Sequence, residues 1–230
     1  MVRTSSPYSP VILRGLGIHG DNPLAFDFIV DKGETGLSFD SEQFHQESIK
    51  LVKYFLASLT VPEKAQWVNL SPYEKDHMLG AGLRDTGMGY DLLAQDYILK
   101  QLSASLLYPE EGLGREFWEK VYKEAKERFG ITEIPHDAFN KVWIVPDKGV
   151  VYETGGKVLV LEQRLKVLLE QDYLATQVSA GTVREKSTPL SDVMKQVMRE
   201  IVIPRIEKEV NEGRNFATLR QIYNSMILAV

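Results

Sequence analysis

The chain has 230 residues, 43% of them hydrophobic and 26% charged, and a net charge of −5. That composition is ordinary for a globular protein with a real core, and its mixed charge argues against a nucleic-acid binder, which needs clustered positive surface. The absence of cysteine excludes disulfides, thiolate metal sites and a cysteine nucleophile.

The first segment, "MVRTSSPYSPVILRGLGIHG", has no apolar run of signal-peptide length, and no stretch reaches the ~18 apolar residues of a membrane span. A cytoplasmic protein without membrane insertion is therefore expected. "VILRGLGIH" and "LAFDFIVD" read as strands; in the second, Phe26, Phe28 and Val30 share one parity and Asp27 and Asp31 the other. "GDNP" between them is a turn signal. Asp40 or Ser41 can cap the next helix, in which Phe44, Leu51, Val52, Phe55 and Leu59 recur at helical spacing up to Pro62.

"WVNLSPYEKDHMLGAGLRDTGMG" is irregular, with a short helix begun at Ser71 and a glycine-rich loop after it. "DLLAQDYILKQLSASLLYPE" follows as a helix that Pro109 ends. Leu92, Leu93, Leu99, Leu106 and Leu107 gather on one side, with Asp96 among them. "GREFWEKVYKEAKERFG" is a further amphipathic helix stopping at Gly130. "KVWIVP", "GVVYE" and "KVLVLEQ" are strands rich in β-branched residues, the last two joined by a tight "TGG" turn. "RLKVLLEQDYLATQ" reads as a helix and "VSAGTVREKSTP" as loop. The remainder is helical, with a kink near Pro204.

The expected fold is α+β, mostly helical with a small antiparallel sheet built from hairpins. The expected layout is an α+β domain over 1–178, a linker over 179–188, and C-terminal helices over 189–230 that pack back on it. One single domain is an alternative, as is truncation of the chain at its apolar C-terminal end.

Few motifs carry chemistry. "GLGIHG" matches a dinucleotide fingerprint, but a second strand follows it where the phosphate site requires a helix. Turn- or bulge-forming glycines explain it better. The loop Gly80 to Gly89 could cradle an anion through Arg84, Gly87 and Gly89. It lacks the phosphate-loop lysine, and Asp85 or Thr86 as a helix cap is the preferred reading. The four histidines are scattered, so no metal site and no cofactor are expected.

Asp96 is the residue most out of place, because an unpaired buried carboxylate costs several kcal/mol, on the order of ~3. A structural pair with Arg220 of the last helix, or with Arg84, is expected. Desolvation and a nearby arginine would move its pKa in opposite directions. The catalytic alternative joins Asp96 with Tyr73, Lys75 or His77 in an acid–base pocket.

The blocks "WVNLSPYEKD", "GMGYDLLAQDYILKQLSASLLYPE", "FNKVWIVPDKGVVYE", "LKVLLEQDYLA" and "EIVIPRIEKEVNEGRNFATLRQIYNSMILA" resemble a family of uncharacterised bacterial proteins. That resemblance implies no activity, cofactor or catalytic residue. The function expected is a non-enzymatic interaction or scaffold module with a protein partner, for which Trp67, Trp118 and Trp143 are anchors unless they are core. The alternatives are a hydrolase-like enzyme around Asp96 and a phosphate or nucleotide binder at Gly80 to Gly89.

Overall fold

The computed structural model describes residues 5–60, 85–107, 113–132, 142–169, 172–173, 175, 196 and 198–229. The first strand, β1 (Ile12–His19), turns directly into β2 (Asn22–Asp31). The next element is α1 (Glu42–Leu59), opened by Ser41, whose Oγ accepts the Phe44 N–H at 3.2 Å. Two helices follow, α2 (Gly87–Leu107) and α3 (Leu113–Phe129). A long hairpin, β3 (Val142–Thr154) and β4 (Lys157–Leu169), turns on Gly155 and Gly156. Both of these glycines have positive φ, 54° and 75°, the pair of left-handed residues that a two-residue hairpin turn of matching twist requires. A single π turn (Met198–Val202) leads into α4 (Ile203–Glu212), and a 3-10 turn (Arg214–Phe216) into α5 (Ala217–Ala229).

The fold class is α+β, and the four strands among the described residues form one antiparallel sheet in the order β2-β1-β4-β3. That sheet is larger than the small hairpins expected, because β4 continues through Leu169 where the sequence had suggested a helix from Arg164. Leu165, Val167 and Leu169 are buried while Arg164 and Lys166 are exposed. The same residues fit a helical stripe, but pairing with β3 along its whole length selects the two-residue period. Only 172–173 and 175 of the expected helix are helical among the described residues.

One face of the sheet is the core. Phe26 and Phe28 of β2 meet Phe55 of α1 edge to face at 5.7 and 5.5 Å. Leu13, Val160, Leu165 and Val167 pack with Leu219, Ile222, Tyr223 and Met226 of α5. The C-terminal helices are thus part of the same core as the first strands. The linker expected at 179–188 lies outside the described residues. Pro204 stands second in α4, which continues without a break from the π turn; lacking an N–H, the proline cannot bond back into that turn, and the irregular turn lies where the sequence predicts a kink. Trp143 is fully buried and stacked on Tyr173 at 3.8 Å, so it belongs to the interior. Trp67 and the Trp118 side chain lie outside the described residues.

The sheet is joined at its centre over a short distance. The pairing of β1 with β4 comprises Gly15 with Leu159, Leu16 with Val158, and Gly17 with Lys157. Toward the start of β1 the two hairpins part, and helix side chains stand in for the missing strand partners, whereas at the other end the Ile18 N–H still donates to the Gly156 carbonyl at 2.8 Å. Gln221 Nε2 donates to the Val11 carbonyl at 2.7 Å and Asn224 Nδ2 donates to that of Leu13. On the facing strand Asn211 takes the Leu165 N–H at 2.9 Å and donates to its carbonyl at 2.8 Å, while Glu207 accepts the Val167 N–H at 3.2 Å. Buried backbone groups must be paired, which accounts for this row of polar residues on inward helix faces.

Candidate functional site

Among the described residues, candidate functional groups gather on the buried face of α2, in the gap between the hairpins, and on the outward face of α2.

Asp96 lies on the buried face of α2, 4% exposed, beside Met88, Leu92 and Gln95. The expected partnership with Arg220 is not formed. The Arg220 guanidinium donates instead to three carbonyls, those of Val210 (2.8 Å), Gly213 (2.7 Å) and Tyr8 (2.8 Å). Burial pushes it down to about 10, against the pull of Glu209 and Glu212, so it stays charged at neutral pH. The two helices do meet, through the neighbour of Asp96: Gln95 Oε1 accepts the Leu219 N–H at 3.3 Å. A side chain that serves backbone carbonyls leaves no sequence signature, because every residue has one.

A second tie that the sequence did not reveal joins α1 to α2. The Tyr54 phenol, 1% exposed, donates to the Asp91 carboxylate. Burial, and then Asp91, raise the Tyr54 pKa far above the ordinary phenol value. Of the catalytic candidates, Tyr73, Lys75 and His77 lie outside the described residues, as does Arg84. Gly87 and Gly89 occupy the first turn of α2, where Thr86 Oγ1 accepts the Gly89 N–H at 3.1 Å. That bond makes Thr86 a helix cap at the loop suggested for anion binding.

Where the hairpins part, a cleft of about 430 Å³ opens between Ile12, Arg14, Asp31, Gln163, Asn211 and Arg220. Arg14 Nη2 meets Asp31 at 2.9 Å and Nη1 reaches the Val160 carbonyl at 3.3 Å. The Gly33 N–H donates to the other Asp31 oxygen at 3.0 Å. That N–H first, and then Arg14, hold the Asp31 carboxyl below its ordinary value of 3.8. Gln163 Nε2 is shielded from solvent and has no acceptor among the described residues. Across Tyr8 and Pro10 lies a second cleft of about 570 Å³, bordered by Glu42, Glu47, Lys50 and Gln221.

The depressed Asp31 pKa fixes a sign. Its bonds stabilise the fold fully above pH 3.8, the ordinary value, and are lost as the pH falls through the lower, folded-state pKa. In acid denaturation, Asp31→Asn should therefore flatten the loss of stability below that pH. Parallel curves for variant and parent would show that Asp31 is not pinned by Arg14 and Gly33.

The outward face of α2 is unlike either cleft. Tyr90, Leu93 and Tyr97 are 64%, 43% and 62% exposed, and Ala94 is exposed between them. Near its start the helix buries Gln95 and Asp96 together with Met88 and Leu92, while two tyrosines and a leucine point out. Leu92 is buried and Leu93 is not, so the leucine stripe read from the sequence is divided between two faces. The side chains of Leu99, Leu106 and Leu107 lie outside the described residues. Among the described residues, no group of three histidine, aspartate or glutamate side chains could hold a metal ion, and no helix is long and apolar enough to cross a membrane.

Comparison with family models, with curated proteins and with solved structures finds no match to this chain.

Proposed function

We propose that this protein is a non-enzymatic interaction module and that the outward face of α2 is where it docks. The observation that carries this reading is the uncharged, tyrosine-bearing outward face of that helix. A solvent-facing turn normally carries charge. Here the acids at 91 and 96 are committed inward, to Tyr54 and to the buried face, and the aromatic residues face out. Tyrosine is enriched at protein interfaces because it is large, rigid and amphipathic.

A second reading is favoured by the Gln163 amide: a donor without an acceptor among the described residues, beside a cleft of about 430 Å³, suits a small polar ligand carrying a hydrogen-bond acceptor.

Alleles at the native locus separate the two. Leu93→Glu, on an exposed position, should reproduce the phenotype of deleting the gene while leaving protein abundance and melting unchanged. Gln163→Leu should behave as the parent. The reverse pattern would move the function to the cleft.

A further inference from the structure

We infer that the cleft between the parted hairpins is a site additional to the α2 face, and that it takes a zwitterion built like a free amino acid, with its carboxylate on the buried donors and its ammonium at the rim. This rests on the reading that places a small polar ligand in the cleft and is independent of the docking face. Ligand binding here adds to docking, so a Gln163→Leu allele can behave as the parent while its protein no longer binds.

The floor of the cleft holds donors short of acceptors. Gln163 Nε2 is shielded from solvent and has no acceptor among the described residues. Arg220 lines the same cleft, and its bonds to three carbonyls engage three of the five N–H groups of a guanidinium. Those partners are neutral. Glu209, the nearby buried acid, gives both its oxygens to Ser5 and Asn215. A cation only 8% exposed therefore has no carboxylate in direct contact among the described residues. Buried charges are normally paired. A ligand carboxylate supplies the counter-charge, and its two oxygens suit a guanidinium beside an amide donor.

Charge decides between a plain anion and a zwitterion. Asp31 is paired with Arg14 at 2.9 Å. Two further acids on the lining, Glu34 and Glu212, are exposed, and Glu212 reaches Lys208 only at 3.9 Å. A phosphate or a simple carboxylate entering the cleft meets these two acids uncompensated. An ammonium on the same molecule pairs with them while the carboxylate stays on the floor. Tyr8, Pro10 and Ile12 complete the wall and favour an uncharged side chain. The volume, about 430 Å³, is that of a small-molecule site.

Melting-temperature shifts with each uncharged amino acid, followed by calorimetry on the strongest binder and its analogues, test this. For leucine the analogues are isocaproate, which lacks the amine, and isoamylamine, which lacks the carboxylate. Each should bind weaker than the amino acid by about ten-fold or more, the effect of one charge-assisted hydrogen bond. Gln163→Leu should weaken the amino acid and the des-amino acid alike by about ten-fold. Glu34→Gln combined with Glu212→Gln should weaken the amino acid alone, and Leu93→Glu should bind as the parent. If the des-amino acid or inorganic phosphate binds as tightly as the amino acid, the zwitterion is wrong and the cleft stands as a ligand site. If no amino acid binds, or if Gln163→Leu binds unchanged, the proposal is overturned.

Discussion

Replacing Arg220 with methionine should destabilise the fold by about 3–5 kcal/mol, the loss expected when a buried charged partner is removed from groups that cannot reach water. The guanidinium, 8% exposed, is bonded to carbonyls from three stretches of chain: the segment before β1, the end of α4 and the turn after it. Methionine fills much of the volume, so the loss reports hydrogen bonding and charge more than packing. Glu209 and Glu212 would also lose the cation that faces them. In a domain of this size each kcal/mol is worth roughly 2–4 °C, so the melting temperature should fall by about 10 °C. Lysine, a point charge without the planar fork, should recover only part of this. The lowered Arg220 pKa, about 10, leaves the guanidinium charged throughout the neutral range, so the penalty of Arg220→Met should be flat there and change only in alkali. Urea denaturation checks both points. A loss under about 1 kcal/mol would mean that water replaces the guanidinium at the carbonyls.

The second large effect is expected at Gly15. A Cβ built there would lie 2.3 Å from the Val158 carbonyl oxygen and 2.7 Å from Leu159 Cδ2. The oxygen belongs to the backbone and cannot swing aside. Gly15 is also one of the three β1 residues that join the two hairpins, so a methyl group would force apart the sheet's shortest seam. Gly15→Ala should cost about 3 kcal/mol, the upper range for overpacking. The control is Gly20→Ala, where nothing lies within 4 Å and the change should stay within ~0.5 kcal/mol. Equal effects at the two positions would show that β1 and β4 do not approach as closely as described.

These two residues also mark what could be read from the sequence. Gly15 is legible in part: a dinucleotide motif followed by a strand points to turn or bulge glycines, and the β1–β2 register does shift between Leu13 and Gly15, but the close approach of β4 depends on a distant strand and leaves no local signal. Local rules gave the Ser41 cap, the Thr86 cap and the glycine turn at 155 and 156. They failed where two periods overlap, at Leu165 to Leu169, because five residues cannot distinguish a strand from a helical stripe without knowledge of the neighbouring chain. Arg220 was recognised as an inward cation and given the wrong partner, since a carboxylate can be seen in a sequence and a carbonyl cannot. The outward face of α2 was hidden for a related reason. A helix that is apolar on several sides has no preferred direction, and only the packing of Gln95 against α5 shows which side faces in.

The bonds that complete the first strand come from residues 210 and 211 positions further along the chain. At the usual pace of translation, the opening hairpin waits on the order of ten to forty seconds at the ribosome before α5 emerges to satisfy its carbonyls. Throughout that interval the nascent chain presents an incomplete strand edge, the kind of surface that holding chaperones protect. A block to synthesis before α5 would leave a product missing the side chains that finish its first strand.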